Sequence, residues 1–490
     1  MKMKNKKFLT IIGLSLLTFT SCVNDNEGYN NNQDQPYQVP AESLLTNAEK
    51  SLVDQMTTPS VNLNVFRFFE KYWATTDYPS DAIFNFLGTR QVPDNHWTEL
   101  YTDVLGDLQS AKQAVASEVK PSTMSQDEFD GIQANKTAII DILQVYAFQI
   151  LVDSFGDVPY SEALDPSNVL PKYDNDAEIY PQLIERINNN ISTLNESYGS
   201  FSSGDYILNG NVSGWKTFAN SLKLKLGINL ADINGTLAKT TVESAFNAGV
   251  VMDNSQNITF DYPSGAPNYN PIYANVVASG RNDYVVEETF VNYLNELEDP
   301  RRSAYFTPTD DGIYVGGVLG ESNDYPPLVS GVGEMLKTPD LPAFLFDASE
   351  INFYLAEAAE RGYSVGGSAE SYYNAAITAS FEQWNVGGVT DYLSNPEVDY
   401  STASGDWKQK IGMQAWVAMY NRGFESWNFN RRLDYPMLET PNAVPAAEGK
   451  TPTRMTYPIA EQTVNEANWT QASNAIGGDE LTTKVFWDVN

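Results

Sequence analysis

The sequence predicts a mainly α-helical protein in which several helix pairs carry a loop-rich region with minor β structure. Three observations lead there. Apolar residues recur at i, i+3, i+4 and i+7 through long stretches on both sides of the chain's middle. Residues 344–384 place small residues and one aromatic where two closely packed helices need them. Residues 260–342, in contrast, are dense in Gly, Pro, Asn and Tyr and have little helical period.

In chain order, residues 41–56 read as an amphipathic helix, and 61–73 are apolar and aromatic. Residues 96–116 carry Trp97, Leu100, Tyr101, Val104, Leu105 and Leu108 at helical spacing. A long apolar helix spans 127–155, stopped by Gly156 with Pro159 beyond it. Residues 177–194 and 215–233 form two more helices, paired across a Ser-, Gly- and Asn-rich loop. The region 260–342 is too long for a structureless loop. It reads as irregular structure with short β segments and one helix near 287–297, held on the helical frame as binding loops are. In 344–384, Leu355, Ala356, Ala359, Gly362, Ala369, Tyr373, Ala376 and Ile377 suit a helix pair of tetratricopeptide type. From Asp406, with Gln409 three residues on, one long amphipathic helix is expected. It places Trp416, Met419, Tyr420, Gly423 and Trp427 on one face and ends before Pro436. Arg431 and Arg432 close that stretch. Guanidinium groups bind carboxylates and stack on rings, so the pair reads as an anchor between the helix end and acidic neighbours. Residues 441–450 form a loop, and the last forty are mixed.

The chain has 490 residues, with 30 Lys+Arg against 63 Asp+Glu and a net charge of −33. The first 21 residues hold four lysines and no acid; without them 26 bases face 63 acids, a charge of −37. Such acidity argues against nucleic acid, whose phosphates require a basic surface. The single cysteine, Cys22, excludes an internal disulfide and any CxxC site. With one histidine, His96, zinc sites built from His and Cys are excluded as well. No metal or cofactor is expected. Asp174, Asp176 and Glu178 lack the calcium-loop pattern and read as a solvated helix start. His96, beside Trp97, reads as a cap or packing residue rather than a base. GxGxxG, GxxxxGK[ST] and GxSxG are absent.

Four lysines in residues 2–7, the apolar run 8–19 and Thr20-Ser21-Cys22 form a signal peptide with a lipobox-like end. The run is too short to span a membrane, and no other run is expected to span one. Cys22 becomes the lipidated first residue. Residues 23–40, rich in Asn, Asp, Gln and Gly, cannot bury enough surface to fold and serve as a tether. The expected division is thus 1–21 signal, 22–40 tether and 41–490 one domain.

The candidate ligand contacts are Trp73, Tyr78, Tyr273, Arg281, Asp283, Tyr284 and Tyr314. They come from the aromatic cluster at 72–79 and the irregular region. Tyr and Trp offer stacking faces with polar tips, and Gly- and Pro-rich loops leave some of those faces exposed. Replacing Trp73 and Tyr284 with Ala is expected to weaken binding without unfolding the protein.

Several blocks together resemble the SusD/RagB family of nutrient-binding outer-membrane lipoproteins. They are Thr20-Ser21-Cys22; YWATTDYP at 72–79; LVDSFGDVPYSEAL at 151–164; GRNDYVVEETFVNYLNELEDPRRSAYF at 280–306; GFESWNFNRRLDYP at 423–436; and TRMTYPIAEQTVNEANW at 453–469. The resemblance implies a SusD-like fold with about four tetratricopeptide-like helix pairs and a variable, loop-rich ligand half. It implies a cell-surface, lipid-anchored outer-membrane protein without catalysis, and a SusC-like TonB-dependent β-barrel as partner. The implied ligand is a glycan, with an oligopeptide as the alternative. A surface-anchored helical glycoside hydrolase is the competing reading. Arg431 and Arg432 become clamps of the scaffold rather than ligand contacts.

Overall fold

The computed structural model describes residues 39–85 and 90–489. The signal peptide, Cys22 and all but the end of the tether lie outside the described residues. Contacts group Pro40–Asn490 as one unit, to which everything below belongs.

Among the described residues, eleven of the helices build the frame: α1 (Ala41–Thr57), α2 (Asp107–Ala116), α3 (Gln126–Phe155), α4 (Asp176–Thr193), α5 (Val212–Asn229), α6 (Gly235–Ala248), α7 (Glu288–Glu296), α8 (Ala348–Glu360), α9 (Ala369–Gln383), α10 (Trp407–Ala418) and α11 (Gly423–Leu433), with further helical segments between and after them. α1 packs on α2, α3 on α4, α5 on α6 and α8 on α9. The fourth of these is the pair expected at 344–384. The expected pairing of 177–194 with 215–233 holds as a contact, but α5 packs more extensively on α6, a helix the sequence reading lacked. Gly227 explains the close approach: a Cβ there would lie 3.0 Å from Thr241 and Val242 of α6.

α3 is the central helix. The Ser125 hydroxyl accepts the Glu128 N–H at 3.2 Å and caps its start. Gly156, at φ 81°, ends it in a conformation that only glycine adopts cheaply. Contrary to expectation, this helix is long and apolar enough to cross a membrane. Residues 138–155 are all buried by the surrounding helices, so it is a core helix here. Asp141 joins it to α4. Arg186 reaches its carboxylate at 2.7 and 3.2 Å, Lys112 at 2.8 Å and Asn190 at 2.8 Å. Burial alone would raise the Asp141 pKa, but Arg186 and Lys112 outweigh it and hold the group down to about 2. Its contribution, about 2 kcal/mol, is therefore present above the unfolded value near 4 and is lost as pH falls through about 2. Asp141→Asn should remove that acid-limb slope in urea titrations between pH 5 and 2; an unchanged slope would sink the assignment.

His96 is fully buried. Its Nδ1 lies 2.7 Å from Gln55 Nε2 and its Nε2 lies 3.2 Å from Ser154 Oγ. Burial lowers its pKa to about 3, so it is a neutral packing residue. Asp176 departs from the solvated helix start expected of it. It is buried and accepts the Phe486 N–H at 3.1 Å, docking the C-terminal segment on α4.

The expected single helix from Asp406 is two. Asp406 does cap α10, accepting the Gln409 N–H at 3.0 Å. The chain then breaks over Met419–Arg422 and resumes as α11. The break lets Gly423 seat against the 66–67 backbone, where a Cβ would lie 2.9 Å from Arg67 N. It also turns Arg422 inward, into a buried cluster with Lys225, Asp347, Glu350 and Glu425. Arg422 pairs with Glu350 at 2.7 Å and Asp347 at 3.1 Å, while Lys225 pairs with Glu425 and lies 3.6 Å from Glu350. Burial raises the Glu350 pKa, but Arg422 and Lys225 outweigh it, and the net shift is downward.

At the other end of α11 the two arginines point apart. Arg431 lies 3.4 Å over the Trp427 ring and donates to Asp153 O at 2.7 Å and Thr453 O at 2.9 Å. Arg432 donates to Glu357 of α8 at 3.0 Å and to Asn229 of α5 at 3.0 Å, beside Phe429 and Tyr354. Both are anchors, but the expected acidic neighbour is found for Arg432 in Glu357, whereas Arg431 holds backbone carbonyls.

Minor β structure is present, though of the four strands among the described residues only β3 lies wholly within the irregular region 260–342. β1 (Trp73–Thr75) pairs antiparallel with β3 (Tyr284–Val286), and β2 (Ile258–Phe260) with β4 (Ala343–Phe346). Glu287 caps α7, accepting the Thr289 N–H at 2.6 Å.

Candidate functional site

The pairing of β1 with β3 builds the site. Trp73 stands opposite Val286, Ala74 opposite Val285 and Thr75 opposite Tyr284. Because the strands run antiparallel, the exit of β1 meets the entry of β3. Thr76 extends the contact, its N–H donating to Asp283 O at 3.0 Å and its hydroxyl to Asn282 O at 2.9 Å. Asp77 and Tyr78, just past β1, are thereby set beside Arg281 and Asp283, just before β3. A cleft of about 350 Å³ opens there. Its lining includes Asn62, Thr75, Asp77, Tyr78, Asp81, Arg90, Asn275, Arg281, Asp283 and Tyr284.

Four of the seven candidate contacts, Tyr78, Arg281, Asp283 and Tyr284, thus share one cleft. Tyr78 is its exposed aromatic, 62% accessible. Its backbone is left-handed at φ 59° immediately before Pro79, a strained arrangement for a bulky residue. The Arg90 guanidinium lies 5.7 Å from its ring centre. Arg90 also grips Asp81 with two bonds of 2.9 and 3.1 Å and donates to Asn62 at 3.1 Å. Arg281, largely exposed, is 3.5 Å from Asp283. At the rim, Tyr325 donates its hydroxyl to Asp77 at 2.5 Å, which raises its own pKa. On the floor, Thr75 is 2% exposed and its hydroxyl has no hydrogen-bond partner among the described residues.

Three candidates lie elsewhere. Trp73 is 1% exposed, because β3 covers one side of its strand and the helical core the other. Its indole N–H donates to Tyr420 at 2.9 Å, and its ring packs 5.2 Å from Tyr284, beneath the cleft. Tyr284 itself is only 8% exposed, its hydroxyl donating to Pro59 O at 2.7 Å and its ring lying near those of Phe68 and Trp73. Burial raises its pKa. The expectation that Trp73→Ala and Tyr284→Ala spare the fold is corrected accordingly: both rings support it. Tyr273 packs on Tyr269, and Tyr314 on Phe306 and Arg302; neither lines the cleft. Thr75, Asp77, Asp81 and Arg90 escaped the sequence reading. Asp77 and Asp81 lie within or just after the block at 72–79, so adjacency to Tyr78 was the available signal. Arg90 had none. Among the described residues, no group of three His, Cys, Asp or Glu side chains is placed to hold a metal ion.

Comparison with known proteins follows the same lines. The family model "SusD-like_2: Starch-binding associating with outer membrane" matches residues 31–458. Among solved structures, a chitin-binding protein is 26% identical with a TM-score of 0.78, covering 92% of this chain and 100% of its own. A SusD homologue from Bacteroides uniformis is 26% identical with a TM-score of 0.74, covering 91% and 99%. A chitin-binding SusD homologue from Flavobacterium johnsoniae is 23% identical with a TM-score of 0.75, covering 91% and 99%, a likeness of fold. No curated protein matches the chain.

Proposed function

The chain belongs to the SusD-like family, and from that premise we propose that it is a non-catalytic glycan-binding lipoprotein. It captures an oligosaccharide in the Tyr78–Arg281–Asp283 cleft and passes it to a TonB-dependent β-barrel in the outer membrane. Residues 1–21 direct export, Cys22 carries the lipid, 22–40 form the tether and 41–490 the binding domain. The observation that carries the binding reading is the cleft: an exposed tyrosine face beside fixed polar groups, which is what a sugar ring with its hydroxyls requires. The chitin-binding relative at 26% identity supports the same ligand class. Asp81, locked on Arg90 by two bonds, supports a binding role for that carboxylate over a catalytic one.

Isothermal titration with chitin and starch oligosaccharides, alongside oligopeptides, tests this. Tyr78→Ala should weaken glycan binding about tenfold, the worth of one stacked ring, and leave the melting temperature unchanged. Trp73→Ala should instead cost about 3–5 kcal/mol of stability. Binding of peptides alone would turn the reading to an oligopeptide receptor, and released sugar products would turn it to a glycosidase. For the hand-off, a large β-barrel should co-purify in mild detergent. Cys22→Ala should abolish palmitate labelling; labelling that survives the change would sink the lipid anchor.

A further inference from the structure

The ligand of the cleft can be narrowed from its charge, given the glycan-binding reading above. Three carboxylates, Asp77, Asp81 and Asp283, face it against two guanidinium groups. The cations are not equally committed. Arg90 is locked on Asp81 by two short bonds, a geometry that holds both charges in place. Arg281 reaches Asp283 only at 3.5 Å with a side chain 70% exposed, the kind of surface pair that contributes little and is readily exchanged. Among the described residues Asp77 pairs with no cation within 4 Å; it accepts the Tyr325 hydroxyl. Two carboxylates are therefore open to a positive ligand group, whereas an anionic ligand would have to approach all three. The whole protein works in the same direction, because a charge of −33 draws cations toward the surface and repels polyanions.

A second observation marks the floor as a contact point. Thr75 lines the cleft, and its buried hydroxyl has no hydrogen-bond partner among the described residues. Groups in that state in native structures call for an explanation, and a ligand donor or acceptor supplies one. It lies in register with Tyr284, one residue along the chain from Asp283.

We propose that the cleft takes an oligosaccharide bearing protonated amines, such as a de-N-acetylated hexosamine oligomer, in preference to a neutral or acidic glycan. One ammonium exchanges Arg281 for itself on Asp283, another group meets Asp77, the sugar face rests on Tyr78, and the Thr75 hydroxyl bonds the ring substituent that reaches the floor.

The test titrates the full-length protein at mildly acidic pH with chain-length-matched oligomers of glucosamine and N-acetylglucosamine. A hexuronic acid oligomer and a lysine oligomer serve as controls. The glucosamine oligomer should bind about tenfold more tightly than its acetylated counterpart at low salt, and this ratio should shrink at high salt. Asp77→Asn with Asp283→Asn should bring the ratio to about one. Thr75→Val should weaken both ligands and leave the ratio in place. A ratio near one in the unaltered protein overturns the preference while leaving the glycan reading intact. Binding of the lysine oligomer alone, with neither sugar bound, overturns both. Tighter binding of the uronic acid oligomer reverses the charge assignment.

Discussion

Lys225→Met should lower the free energy of unfolding by about 3–5 kcal/mol. Lys225 is fully buried, pairs with Glu425 and lies 3.6 Å from Glu350. Methionine fills similar volume, so the loss measures the charge rather than a cavity. Two cations, Lys225 and Arg422, now face three carboxylates, Asp347, Glu350 and Glu425. Removing one cation strands carboxylates that burial already penalises; the Glu425 pKa is raised by burial even with Lys225 beside it. The variant should also gain stability as pH falls, because protonating Glu425 removes the stranded charge. A compensating Glu425→Gln should recover most of the loss. Equilibrium urea denaturation at pH 5 and pH 8 reads all of this. A loss under about 1 kcal/mol at pH 8 would show that the cluster does not depend on Lys225.

Arg432→Ala is the second large effect. It should cost about 3 kcal/mol and leave glycan affinity within twofold. The change deletes bonds to Glu357 and Asn229 and the packing of the guanidinium beside Phe429 and Tyr354. Glu357 keeps Arg361 at 3.0 Å, so its charge is not abandoned, and the cost falls at the lower end for a buried pair. No residue of α11 lines the cleft. Thermal melting followed by titration separates the two quantities; a large loss of affinity at unchanged stability would place Arg432 in ligand binding after all.

The helical frame was readable where local signals and packing agree. The apolar run, Gly156 and Pro159 mark α3 and its end, and the small residues of 344–384 mark a close helix pair. The break between α10 and α11 was not readable, because the apolar period runs straight through it. What breaks the helix is tertiary: Gly423 must reach the 66–67 backbone, a segment over 350 residues away. The cleft was half readable for a related reason. Tyr78, Arg281, Asp283 and Tyr284 stand out as residue types in loops. Trp73 stands out equally, yet β1 is buried on both sides, and only knowledge of its partner strand reveals that. Arg90 becomes a cleft residue through Asp81 and Tyr78, neither of which announces it.

The β1–β3 ladder also bears on how the chain reaches its working state. Thr76 and Asn282, which close the ladder beside the cleft, are 206 positions apart. Contacts of such separation carry a loop-closure cost that nearby helices do not, and they form slowly. The helix pairs can condense from neighbours; the ligand cleft must wait for most of the intervening chain to be in place. Capture of ligand therefore reports completed folding. A chain truncated before β3 would keep α1 through α6 and still have no cleft, since its entire Arg281–Tyr284 wall would be missing.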